Sequence, residues 1–157
     1  MKLKFWVYRN NLPLLALVVT ATLGWIFYFG VDLKFTVPLL GMILSLLYFF
    51  EKQRLEEIKL FREIFAECNE RYDKMNETLN GIVDGLEDQS LQPKERACLT
   101  DYFNLCGEEF LYYSQGYIFP SVWRAWHNGM KYYLKSPRIA TFWTEEKKSE
   151  SYYGLSF

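Results

Sequence analysis

Two apolar runs near the start of the chain are separated by a short polar break. The first run covers residues 12–29, the second covers residues 35–50, and neither contains a charged side chain. As helices they approach the length of about 20 apolar residues that crosses a bilayer core. A cleaved signal peptide would end near Ala21, but the apolar run continues to Phe29, which favours an uncleaved anchor. Because the break is short, the pattern predicts an antiparallel transmembrane hairpin within residues 1–50.

Beyond the second run, apolar residues recur at alternating gaps of three and four, the spacing of one helix face. No glycine or proline separates this face from the second run, so we predict one long helix over residues 35–86. Two roles fit the pattern: a core contact within the chain, or a contact between subunits. We call this face the seam, and we expect it to be an interface in either case. It consists of Ile58, Phe61, Phe65, Cys68, Tyr72, Met75, Leu79 and Ile82, and it continues to Leu86.

Further helical segments follow the long helix. Pro93 and Pro120 stand where a helix can begin, because a proline in the first turn loses no hydrogen bond. Ser136 and Pro137 end the second of these helices, and a last short helix carries Ile139. The sequence therefore predicts an all-α fold with four parts: a hairpin with spans at about 12–29 and 35–50, an amphipathic linker helix at 51–88, a small cytoplasmic helical domain at 89–148, and a tail at 149–157.

The distribution of charge predicts the orientation of the hairpin and argues against one class of partner. Basic residues flank both spans on the side of the chain ends, which predicts cytoplasmic termini in a multi-pass protein of the cell inner membrane. The lipid bilayer is then a partner. Residues 51–157 carry 18 acids against 14 bases, so nucleic acid is not an expected partner. The flanking bases are Lys2, Lys4 and Arg9 before the hairpin, and Lys52, Arg54, Lys59 and Arg62 after it.

The residues that usually carry chemistry are sparse. Cys68, Cys98 and Cys106 are far apart, and His127 is the single histidine, so the spacing predicts reduced thiols, no metal site and no cofactor. Arg124 and His127 lie on one helix face and are similar to the Arg-and-His pairs of helical ribonucleases of the HEPN type. Those motifs have four to six intervening residues, whereas this chain has two. No catalytic residue is assigned, and a divergent membrane-tethered ribonuclease using this pair is the enzyme alternative.

Charge is also divided between the C-terminal helices. Residues 84–110 contain seven acids and two bases, whereas residues 120–148 contain six bases and two acids. This complementarity predicts that Glu108 or Glu109 lies near Arg124 or Lys131 when the two helices pack.

The C-terminal half carries several short motifs that resemble a known group. They are residues 103–110 (FNLCGEEF), Gly116–Tyr117, residues 122–126 (VWRAW), residues 129–133 (GMKYY) and Ser136–Pro137. In these motifs the chain resembles small bacterial two-span membrane proteins of unknown function, of the DUF4760 type, which have a membrane hairpin, a helical linker and an aromatic helix pair. The resemblance implies an oligomeric membrane effector or scaffold. Similar accessory proteins occur in phage-defence gene clusters.

These observations favour a non-enzymatic, membrane-anchored interaction or effector module over catalysis. We expect the module to self-associate as a homo-oligomer and to contact a soluble cytoplasmic protein. A passive structural membrane anchor is the third class of function that the sequence allows.

Overall fold

The computed structural model describes residues 11–30, 32–86 and 89–157. All regular structure in these residues is helical, which confirms the predicted all-α class. The described chain falls into two compact units, one extending to Lys59 and one comprising Leu60–Phe157. The N-terminal basic residues used to predict orientation, Lys2, Lys4 and Arg9, lie outside the described residues.

The first unit contains helix α1, Asn11–Phe29, and the start of helix α2, Leu33–Asp84. Helix α1 ends at Gly30, whose φ of +61° is a left-handed conformation that glycine adopts without steric cost. Helix α2 begins after Asp32, whose carbonyl oxygen accepts hydrogen bonds from Phe35 N and Thr36 N. Among the described residues, α2 is the one helix long and apolar enough to span a membrane, and α1 holds a shorter apolar stretch.

The second unit adds three helices to the later turns of α2. They are α3, Pro93–Ser114, α4, Pro120–Tyr133, and α5, Pro137–Glu146, and a 3-10 turn follows at Lys147–Ser149. A proline occupies the first turn of each helix, so the predicted starts at Pro93 and Pro120 are confirmed. Gly116, at a φ of +84°, follows the end of α3.

Large rings fill the core of this second unit, as expected of a small domain with few aliphatic residues. Phe103 on α3 is fully buried, and its ring lies 4.7 Å from Trp143 and 6.2 Å from Phe142 on α5. Leu79 and Ile82, near the end of α2, are fully buried in the same cluster. These two seam residues therefore pack against their own chain.

The seam residues of this unit that precede Leu79 also contact residues of their own chain. Cys68 is buried with Leu105 of α3, and the Phe65 ring stacks on Trp126 at 5.6 Å. The Phe61 ring contacts the Phe119 ring edge to face, with ring centres 4.6 Å apart. Most of the seam within Leu60–Phe157 thus serves the core of one chain, the first of the two roles that its spacing allowed.

The last nine residues belong to the packed unit, although their sequence has no helical period. Tyr152 and Leu155 are buried in the main cluster. The Tyr152 backbone approaches α3 at Gly107, where an added Cβ would lie 3.4 Å from the Tyr152 Cα. The segment described from its sequence as a tail at 149–157 is therefore part of the core.

Helix α2 ends at Asp84, two residues before the predicted end of the periodic pattern. Arg138, in the first turn of α5, donates a hydrogen bond from Nη1 to the Ile82 carbonyl oxygen at 3.1 Å. Carbonyl groups in the last turn of a helix lack partners within the helix, and this contact supplies one. A Cβ at Gly85 would overlap the Arg138 guanidinium, so any other residue there would displace Arg138 from this contact.

Candidate functional site

A cavity of about 210 Å³ lies between α2, α3 and α4 in the second unit. Aromatic side chains form much of its wall, and one carboxyl group reaches it. The residues used below are Tyr72 from α2, Tyr102 and Glu109 from α3, and Trp126 and Tyr133 from α4. Pockets with apolar walls and few polar groups are the usual form of small-molecule sites.

Glu109 is the unusual group in this cavity. Its side chain is only 6% exposed, and within the described chain no hydrogen bond or ion pair reaches its carboxyl group. Burial raises the pKa of Glu109 to about 8, because the charged form loses its hydration; Arg71 opposes this shift and Glu108 adds to it. The Glu109 carboxyl group is therefore mostly protonated at neutral pH.

The tyrosine hydroxyls form a second polar feature beside the cavity. The Tyr72 and Tyr133 hydroxyl oxygens lie 2.8 Å apart, and the Tyr133 oxygen lies 3.2 Å from Asn76 Oδ1. Burial and the hydrogen bond with Tyr72 raise the pKa of Tyr133. The Tyr133 hydroxyl therefore stays neutral near pH 7, and its hydrogen bond with Tyr72 joins the two rings.

Glu108, the neighbour of Glu109, points to a different partner from the one expected. Arg71 of α2 donates from Nη1 and Nη2 to the two Glu108 carboxylate oxygens, at 2.5 and 3.2 Å. Among the described ion pairs, none joins Glu108 or Glu109 to Arg124 or Lys131. The physical reason is that Arg124 and Lys131 lie on the exposed side of α4, whereas the aromatic side of α4 faces the core.

The Arg124 and His127 pair, considered as a ribonuclease motif, lies in a different environment from the cavity. The His127 ring stacks between Trp123, at 5.3 Å, and Phe157, at 5.8 Å. Its Nε2 atom is buried and has no hydrogen-bond partner in the described chain. Burial and the nearby charge of Lys131 lower the pKa of His127. This environment suits a packed ring, while the Arg124 side chain is exposed.

A partly buried ion pair outside the cavity was not expected from the sequence. Arg138 Nη2 lies 2.9 Å from Glu95 Oε2, and the same oxygen accepts a hydrogen bond from Gln92 N at 2.7 Å. The Gln92–Glu95 spacing is a local capping signal. Arg138 is 43 residues further along the chain, and no local pattern connects it to Glu95.

The unusual position of Glu109 can be recognised from the sequence. Tyr102, Cys106, Glu109 and Tyr113 are spaced by four, three and four residues, so the acid lies on the apolar stripe of α3. A carboxyl group at such a position is either paired in the core or turned toward a cavity. Its position relative to the α4 rings depends on packing and could not be read from this spacing.

Within the described residues, no three His, Cys, Asp or Glu side chains are grouped closely enough to hold a metal ion. Burial raises the pKa of the Cys68 thiol to about 12, so this cysteine is not a reactive thiolate.

Comparison of the chain with protein-family models, curated proteins and solved structures gave no match.

Proposed function

We propose that this protein is a non-enzymatic interaction or effector module, anchored in the cell inner membrane by a two-span hairpin. The supporting observation is the apolar surface of the first unit, because large apolar side chains in water are unfavourable and lipid removes that cost. Large apolar residues more than half exposed there are Leu17, Val18, Trp25, Phe27, Tyr28, Phe29, Phe35, Val37, Met42, Leu44, Leu46, Tyr48, Phe49, Phe50 and Leu55.

The proposed orientation has both termini in the cytoplasm. Asp32 and Lys34 pair with each other at 3.0 Å in the turn between the helices, which leaves that turn with little net charge. Basic residues beyond the second span, such as Lys52 and Arg54, are those that bacterial cytoplasmic segments favour. The compact unit Leu60–Phe157 is then the cytoplasmic working part.

Cysteine labelling tests the anchor and its orientation. Cys68 and Cys106 are buried, so we would replace only Cys98 by Ala and then introduce either Asp32→Cys or Glu150→Cys. A membrane-impermeant maleimide should label Asp32→Cys in intact cells after outer-membrane permeabilisation, and Glu150→Cys only after lysis. The Cys98→Ala parent is the control. Labelling of Glu150→Cys from outside overturns the orientation, and recovery of the protein in the soluble fraction overturns the anchor.

Self-association is part of the proposal, through apolar positions of the seam that the chain leaves open. Ile58 and Phe65 each remain 38% exposed. The mass of the protein in detergent should exceed that of one chain, and Ile58→Asn with Phe65→Ser should reduce it. A monomeric wild type overturns this part.

The effector role and the absence of catalysis also have a test. The effector role that we propose is an accessory one in phage defence, which the resemblance to small two-span bacterial proteins implies, so loss of the protein should lower survival during infection. We expect the Arg124→Ala and His127→Ala pair, if folded, to keep protection and the oligomer mass. Loss of protection with mass and fold intact would favour the ribonuclease alternative.

A further inference from the structure

We propose that the cavity between α2, α3 and α4 binds a small organic ammonium ion, with the Glu109 carboxylate as counter-ion and the rings of Tyr72, Tyr102, Trp126 and Tyr133 as its cage. This site goes beyond the membrane-anchored module proposed above and does not depend on it.

The first argument is the buried acid without a partner. Glu109 as a residue is 94% buried, and a buried carboxylate normally has a hydrogen bond or a cation, because an unpaired charge in the interior is unfavourable. Arg71 is the nearest basic group, but both of its terminal nitrogens already bind Glu108. Glu109 therefore faces the cavity with its own charge uncompensated when ionised.

The second argument is the aromatic wall. Cations are attracted to the faces of tryptophan and tyrosine rings, and aromatic cages recognise ammonium groups in this way. Tyr102 and Tyr133 have ring centres 5.5 Å apart at an angle of 72°, so their rings form adjacent walls rather than one flat surface. Trp126 and Tyr72 extend the wall from two other turns.

The other titratable groups around Glu109 also favour a cation. Cys68 and Arg71 face it from α2, and Cys106, Tyr102 and Glu108 face it from α3. Burial raises the pKa of both thiols, so they are neutral, and Arg71 is neutralised by Glu108. The Glu109 carboxylate would repel an anionic ligand, and none of the groups named above would offset this repulsion with an uncompensated positive charge.

Size and access limit the ligand further. A cavity of about 210 Å³ is below the range of drug-sized sites, so the ammonium ion must be small. Ala125 and Gly129 lie on the exposed side of α4 at the cavity, and a Cβ at Gly129 would meet no atom within 4 Å. The rim is therefore open to a ligand of this size.

Titration calorimetry on the full-length protein in a maltoside detergent tests the site. The probes are choline and n-butylammonium, with 3,3-dimethylbutan-1-ol as a neutral molecule of the same shape as choline. At least one cation should bind, and it should bind at least tenfold more tightly than the alcohol. Equal binding of the alcohol, or no binding of either cation at millimolar concentration, overturns the proposal.

Two variants locate the binding. Glu109→Gln should weaken cation binding at least tenfold, whereas Asp101→Asn, an exposed acid on the same helix, should not change it. Trp126→Leu should weaken cation binding about 5- to 30-fold, with circular dichroism confirming the helical content. Unchanged cation affinity in Glu109→Gln overturns the proposal.

Proton linkage gives an independent readout of the same carboxyl group. A cation requires the ionised form, so choline affinity should rise up to about tenfold per pH unit between pH 6 and 7 and level off above pH 8. Glu109→Gln should lose this dependence. A wild-type affinity that is independent of pH contradicts the assignment of Glu109 as counter-ion.

Discussion

Glu109 makes the stability of the protein depend on pH in the opposite direction from a paired carboxylate. Its folded pKa of about 8 is above its ordinary value of 4.5, so between these values the folded state binds more protons than the unfolded state. The free energy of unfolding therefore falls as pH rises from about 4.5 to 8, by up to roughly tenfold in the equilibrium constant per pH unit.

Glu109→Gln removes this titration, and its stability relative to the wild type should rise steadily from pH 5 to pH 8. Denaturant unfolding followed by tryptophan fluorescence measures the difference. Asp101→Asn, on the exposed side of α3, should run parallel to the wild type across the range. A constant offset between wild type and Glu109→Gln would mean that the folded pKa is not raised.

Arg138 is the residue whose loss should cost the most stability among the charged groups. Its side chain is 4% exposed and joins Glu95 and the Ile82 carbonyl oxygen. Arg138→Met would leave the Ile82 carbonyl oxygen and the partly buried Glu95 carboxylate without this partner, so it should destabilise by about 2 kcal/mol. Arg124→Met, an exposed arginine on α4, should change stability by less than about 0.5 kcal/mol.

A double-mutant cycle with Glu95→Gln separates the ion pair from the carbonyl contact. The cost of Arg138→Met should shrink in the Glu95→Gln background and should not disappear, because the Ile82 contact is lost in both. Equal costs in the two backgrounds would contradict a direct Arg138–Glu95 interaction.

At the scale of elements, the contact of α2 with α3 includes an ion pair, Arg71–Glu108, that the charge pattern did not predict. Arg71 and Glu108 are each about one third exposed, so solvent screening keeps their coupling modest, about 0.5–1 kcal/mol. Glu108→Gln should cost this amount with Arg71 present and close to nothing in an Arg71→Met background. The effects of Lys131→Met and Glu108→Gln on the free energy of unfolding should be additive. A coupling between them would support the Glu108–Lys131 pairing predicted from the charge pattern.

The starts of the elements were readable from the sequence, and their contacts were not. Pro93 and Pro120 restrict the backbone locally, so their effect is visible without a fold. The last turn of α2 contacts Arg138, which is distant in the chain, and the exposure of Arg124 depends on which face α4 turns to the core.

At the scale of the molecule, the seam illustrates the same limit. Its heptad spacing predicted a buried face but left open whether the covering surface belongs to the same chain. Ile82 is fully buried within the second unit, whereas Ile58, in the first unit, is 38% exposed. The candidate cavity shows the same limit of sequence-based prediction. The sequence places Glu109 on an apolar stripe, but the rings that surround Glu109 come from three helices, and the sequence does not show how these helices pack.

The C-terminal segment completes the core of the whole second unit, and this gives the last prediction. Tyr152 is 5% exposed and contacts Phe103 and Trp143 with its ring, whereas the adjacent Tyr153 is 57% exposed. Tyr152→Ala should destabilise by about 3 kcal/mol, because it removes a large buried ring and leaves a cavity. Tyr153→Ala is the matched control and should cost far less in the same unfolding measurement. Similar losses for both would mean that the segment is not packed into the core.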